Sequence, residues 1–122
     1  MSLNSIRFNR ARITDYFVDE PMASNTNGPE VVIDQRIACL SFQGVVTSGA
    51  PKGTLKAQLS IIDGVWTDLA GCAPIKIDLS EHQDFLMIIP DQTAYAGKLR
   101  LSWTPEFGSN GTLTVAQRVM LP

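Results

Sequence analysis

Apolar side chains recur at every second position in four separate runs of this chain. They are Leu55, Ala57, Leu59 and Ile61; Ile75, Ile77 and Leu79; Leu99, Leu101 and Trp103; and Leu113 with Val115. Side chains of an extended strand point alternately to opposite faces, so each run has one apolar face and one polar face. Lys56, Gln58 and Ser60 fill the polar positions of one run, and Lys98, Arg100 and Ser102 those of another. One buried face and one wet face is the habit of antiparallel sheets. Helical spacing is almost absent, so the predicted fold class is all-β. Turn signals punctuate the runs: Asn27-Gly28-Pro29, Gly49 to Gly53, Asp63-Gly64, Ala70 to Pro74, Pro90-Asp91, Ala96-Gly97 and Phe107 to Gly111. With the N-terminal run from Ile6 to Phe17 this spacing predicts about eight strands. The expected architecture is an antiparallel two-sheet β-sandwich, a jelly roll first and an immunoglobulin-like sandwich second. A length of 122 residues fits a single domain over 1–122.

Four segments are less regular. Residues 31–46, VVIDQRIACLSFQGVV, shift their apolar phase around Asp34-Gln35-Arg36, which predicts a bulge or two strands joined by a bend. Phe85 to Ile89 is apolar on both faces and reads either as a central strand or as one covered at a subunit contact. Residues 18–30, VDEPMASNTNGPE, form the longest polar connection and the expected mobile loop. Residues 1–17 carry the local basic excess of Arg7, Arg10 and Arg12. They read as a charged edge strand, or as an arm that docks onto a neighbouring subunit.

Composition limits the partners. The chain is 44% apolar and 18% charged, as a folded protein is, with a formal net charge of −2. Nucleic-acid binding by backbone neutralisation needs a basic face, which this balance does not supply, so no nucleic-acid partner is expected. No apolar run nears the roughly 18 residues of a membrane span, and no secretion signal opens the chain. Cys39 reads as a small buried hydrophobe and Cys72 as a loop residue, and nothing in their spacing pairs them or fixes their redox state.

Chemistry-bearing clusters are few. His82, the only histidine, sits between Glu81 and Asp84 in SEHQDF, where neighbours on an extended or turning segment diverge; a solvated turn is the expectation. Neither cysteine is spaced to act with His82 as a nucleophile pair. GAPKG at 49–53 lacks the ending of a phosphate-binding loop. Asp63 and Asp68 offer hard oxygen ligands, but their spacing matches no calcium loop. No catalytic residue, metal site or cofactor is expected, and the chain is read as not an enzyme. Asn110-Gly111, within a glycosylation sequon, reads as a turn before a strand.

The stretch QLSIIDGVWTDLAGC is the most legible. Asp63-Gly64 between alternating runs predicts a two-residue primed hairpin turn, since both residues tolerate positive φ. Trp66 then falls at the edge of the sandwich. Its ring either closes the end of the core as a lid, the expected arrangement, or lies exposed as a stacking platform for a sugar.

This hairpin also carries a resemblance. Gly53-Thr54-Leu55, Gln58, Ser60, Asp63-Gly64, Trp66, Thr67-Asp68-Leu69, Tyr95, Leu99-Arg100-Leu101 and Gly111-Thr112-Leu113-Thr114-Val115 resemble a pattern in small β-sandwich virion proteins of bacteriophages. Trp66 follows Gly64 after one residue, where that pattern often has two. The element from Ser60 to Trp66 is also similar to the corresponding hairpin of discoidin-type carbohydrate- and lipid-binding domains. The first resemblance implies a structural or assembly protein that self-associates or joins other virion proteins as a capsid, decoration or tail-associated subunit, located in the virion or in the cytoplasm of the bacterial cell that produces it. The alternative is a carbohydrate-binding module that holds a glycan with Trp66, Asp63 and Asp68.

Overall fold

The computed structural model describes residues 11–33, 39–78, 83–89 and 97–120. It is all-β, and it is a two-sheet antiparallel sandwich, as the alternation predicts. The strands are β1 (Ala11–Pro21), β2 (Thr26–Asn27), β3 (Val31–Ile33), β4 (Cys39–Ser48), β5 (Lys52–Ser60), β6 (Thr67–Asp68), β7 (Ile75–Asp78), β8 (Asp84–Ile89), β9 (Gly97–Pro105) and β10 (Thr112–Met120). Among the described residues ten strands stand where about eight are expected: the short β2 and β6 fall in stretches read as connections, and residues 31–46 divide between β3 and β4.

The first sheet has the order β1-β10-β4-β8. In the second, β2 and β3 both pair β9, β9 pairs β5, and β5 pairs both β6 and β7. The pairing is nested: β1 lies on β10, β2 and β3 on β9, β4 on β8, and β5 on β6 and β7. The chain is thus a long antiparallel ribbon folded over into two layers.

The alternating runs supply the inner faces. Leu55, Ala57, Leu99, Leu101, Trp103 and Ile77 are buried from one sheet, and Phe42, Leu40, Leu113, Val115 and Met87 from the other. Sheet packing of this kind removes each such side chain from water at about 25 cal/mol per Å² of apolar area, the main stabilising term. The alternation fails at Ile61, which lies beyond the end of β5 and is 75% exposed.

Of the two readings of residues 31–46, two strands is the outcome: β3 and β4 lie in different sheets, and residues 34–38, where the shift falls, are outside the described residues. Residues 18–30 are not a free polar connection: β1 continues to Pro21, Met22 is fully buried, and Thr26–Asn27 pairs with β9. Met22 is held because its carbonyl accepts hydrogen bonds from Trp103 Nε1 (3.1 Å) and Ser109 Oγ (2.7 Å). Of the two readings of 85–89, a central strand or one covered at a subunit contact, the first has no support among the described strands, where β8 pairs only β4 and lies at the margin of its sheet. β1 is the opposite edge, carrying Arg12, while Arg7 and Arg10 lie outside the described residues.

Candidate functional site

The feature richest in polar and aromatic groups is the outer face of the second sheet around β5, β6 and β9. Parity builds it. Gln58 pairs Asp68 and also Arg100, and residues directly opposite in antiparallel strands share a face. Gln58 belongs to the polar series of β5, so Asp68 and Arg100 face outward with it, and Trp66, two residues before Asp68, follows. Leu69 has the opposite parity and is buried. Of the two large apolar residues in Trp66-Thr67-Asp68-Leu69, only one can enter the core, and it is Leu69.

Trp66 is therefore not a lid. Its ring is half-buried on the outer face with the Arg100 guanidinium 4.1 Å from its centroid, a cation–π contact. Trp103 is the tryptophan of the core. Arg100 Nε donates to Gln58 Oε1 (3.0 Å), Gln58 Nε2 donates to Asp68 Oδ1 (3.0 Å), and Lys56 Nζ donates to Asp68 Oδ2 (3.2 Å). The result is a connected row from the aromatic ring across three strands. The bonds from Gln58 and Lys56 hold the Asp68 carboxyl below its ordinary range. Asp68 therefore accepts as a carboxylate at neutral pH. The sequence marks Lys56, Gln58 and Arg100 as outward positions of β5 and β9 but not as site residues; the pairing of β5 with β6 and β9 brings them together.

Asp63 stands apart from this row. Its carboxylate accepts from Lys98 Nζ (3.3 Å), and Lys98 also pairs Glu30 (3.6 Å). These acids, Asp63 first, hold the Lys98 ammonium above its ordinary range. Asp63 and Asp68 thus engage different lysines and do not converge. Among the described residues no three His, Cys, Asp or Glu side chains gather as a metal site. His82, Glu81 and Tyr95 lie outside the described residues. Cys39 and Cys72 are free thiols, each half-buried, and burial pushes the Cys72 thiol up. Cys39 takes an outward position on β4, so the expectation of a buried small hydrophobe is not met there.

The turn itself differs from the primed form. Val65 N donates to Ile62 O (3.0 Å), closing a four-residue turn with Asp63 and Gly64 at its centre. Gly64 has φ of 82°, while Asp63 is not in the positive-φ region, a combination that fits a type II turn. The strands rejoin only at Leu59 and Thr67, so the turn caps a wider loop. That loop exposes Ile61, Ile62 and Val65, which with Leu59, Thr67 and Leu69 line a hollow of about 330 Å³.

Asn110 and Gly111 are structural, at the end of the sandwich that also holds Met22. Asn110 Oδ1 accepts from Ala50 N (2.9 Å), tying the β4–β5 connection to the β9–β10 connection. Gly111 has φ of 92° and lies so close to Ser48 O that a Cβ would collide with it. The reversal after β9 comes slightly earlier, at Phe107-Gly108, where Ser109 N donates to Glu106 O (3.1 Å).

No protein-family model matches the chain, and no curated protein matches it. Among solved structures, a chain in the structure of infectious bursal disease virus, Gx strain, is similar over 92% of this chain, at 18% sequence identity and a TM-score of 0.48. The match covers 32% of that chain, so this chain spans about a third of its length.

Proposed function

We propose that this chain is a non-enzymatic structural subunit, one sandwich domain that assembles with copies of itself or with other proteins of a bacteriophage virion, as a capsid, decoration or tail-associated component. The nested strand pairing reads as a jelly roll, an architecture that viral capsid domains and lectins both use. Fold alone does not assign a function, so the reading rests on the surface. The observation that carries it is the placing of exposed apolar side chains in groups. Ile61, Ile62 and Val65 crowd one loop, and Ile13, Leu86 and Ile88 lie on the outside of the four-stranded sheet. Grouped apolar exposure of this kind marks protein contacts, whereas single exposed apolar residues are ordinary. Sedimentation velocity across a range of concentrations tests the reading. Association that grows with concentration is expected, and a strict monomer at the highest concentration would sink it.

A second reading has its own support: the half-exposed Trp66 ring lies beside the Gln58 and Asp68 hydrogen-bonding groups, a pairing of stacking surface and polar row that suits a glycan. Arg100 already occupies part of that ring, which weighs against it. A glycan array probed with the wild type and with Trp66→Ala separates the two, since this reading needs a signal that the substitution removes.

A further inference from the structure

We infer that β8 is the self-association edge, pairing antiparallel with β8 of a second copy about a two-fold axis at Met87; this rests on the assembly reading above and names its contact. Sheet edges offer unpaired N–H and C=O groups, and proteins normally blunt them with charge, proline, bulges or brevity. The other edges here are blunted. β1 carries Arg12, Asp15, Asp19 and Glu20, has two register shifts, holds Asp19 at φ of 46°, and ends on Pro21. β2, β3, β6 and β7 are two to four residues long. β8 alone among these edges is six residues with an unbroken register, and it has no charge from Phe85 to Ile89. After an exposed Asp84 at its start, its outer-face side chains are apolar as well, with Leu86 56% and Ile88 57% exposed.

The hydrogen-bonding parity of β8 is set by its neighbour. Val46 N donates to Gln83 O (3.0 Å), one step beyond the Val45–Asp84 pair. Backbone groups alternate in direction along a strand, so Phe85, Met87 and Ile89 address β4. Asp84, Leu86 and Ile88 then turn their N–H and C=O groups to the side that no described strand occupies.

The sequence selects one register for a second β8. Centred on Met87, Leu86 of each copy lies opposite Ile88 of the other, and the two residues exchange both backbone hydrogen bonds. Their side chains form an apolar cluster on the outer face. Phe85 meets Ile89 on the inner face, and no like charges oppose each other. Centring on Leu86 would place Asp84 against Ile88. Centring on Ile88 would pair only Met87 to Ile89 within β8 and leave Leu86 unmatched. A six-residue edge is much smaller than the roughly 20–30 residues a side of a standard stable interface, so the dimer is reversible and concentration dependent.

Sedimentation velocity on the whole chain tests this with two β8 variants. Ile88→Lys changes an exposed side chain, and Leu86→Pro removes a donor that points away from β4, so the β4 ladder is kept. Each is expected to raise the dimer Kd by about tenfold or more, through loss of symmetry-related cross-strand pairs, with circular dichroism melting close to wild type. Unchanged dimerisation in both folded variants overturns the β8 edge. If assembly then disappears in Ile62→Asp, self-association stands and only this edge is wrong; a wild type that is monomeric throughout removes both. The register has its own readout in a Cys39→Ser, Cys72→Ser background. Leu86→Cys mixed with Ile88→Cys should form a disulfide-linked dimer faster than either alone, since paired Cα atoms about 5.5 Å apart suit a disulfide. Equal rates in the mixture and the separate proteins overturn the Met87 centre.

Discussion

Tyr16 joins the two sheets through both its ring and its hydroxyl. A register shift between Asp15 and Phe17 lets Tyr16 and Phe17 both enter the core, although they are consecutive in the chain. The Tyr16 ring packs edge-on against Phe17 and Phe42, with centroids 4.9 and 5.1 Å away. Its hydroxyl donates to Pro29 O (2.6 Å) and accepts from Leu101 N (2.9 Å), so a first-sheet side chain closes backbone groups of the second layer. Gly28 has no side chain because the Tyr16 ring fills that space. Tyr16→Phe leaves the buried Leu101 N–H unpaired and should cost about 1–3 kcal/mol by urea denaturation. Burial also raises the Tyr16 pKa from 10.0 to about 12. The folded state favours the neutral phenol, so this contribution is whole below pH about 10 and is lost as pH rises towards about 12. Denaturation midpoints should fall across that window in the wild type, and the fall should be smaller in Tyr16→Phe; equal slopes would contradict this account.

At the scale of an element, the β5–β6 hairpin shows how pairing redistributes residues that look alike in sequence. Register sends Trp66 outward and Leu69 inward, and the loop then leaves Ile61, Ile62 and Val65 in solvent. Removal of the guanidinium in Arg100→Ala should open the Trp66 ring to acrylamide quenching. Exposed cation–π contacts contribute only about 0.5–1 kcal/mol, so stability should change little. Trp103, buried with its N–H bound to Met22 O, serves as the internal reference that quencher does not reach. An unaltered quenching curve would mean that Arg100 does not cover the ring in solution. The exposed ion pairs Lys56–Asp68 and Lys98–Asp63 orient this face more than they stabilise it, as surface pairs generally do.

For the whole molecule, the nested ribbon has a kinetic consequence. β1 pairs β10 from the far end of the chain, so most of the sheet contacts close long loops. Loop closure entropy must be met before such contacts form, and all-β domains of this kind refold in roughly milliseconds to seconds. Stopped-flow tryptophan fluorescence should show refolding in that range, and microsecond refolding would contradict the topology. Assembly belongs to this scale too, because β8 lies at the margin of the described sheet only by virtue of its place beside β4.

Much of the sandwich was legible in residues alone. The alternation at 55–59, 99–103 and 113–115 marks the strands and their buried faces, because a strand's two-residue period needs no tertiary information. The turn chemistry at Gly64 likewise marks a reversal, since positive φ favours glycine in any context. Three things came only from the tertiary structure. Trp66 left the core because its parity depends on which β5 residue Asp68 faces. Met22 entered the core from an apparently polar segment because Trp103 and Ser109 hold its carbonyl there. β8 became an edge because an apolar run reads the same at the centre of a sheet and at its margin, and pairing alone distinguishes them. Local period is written along the chain, whereas register and neighbourhood arise only when distant strands meet.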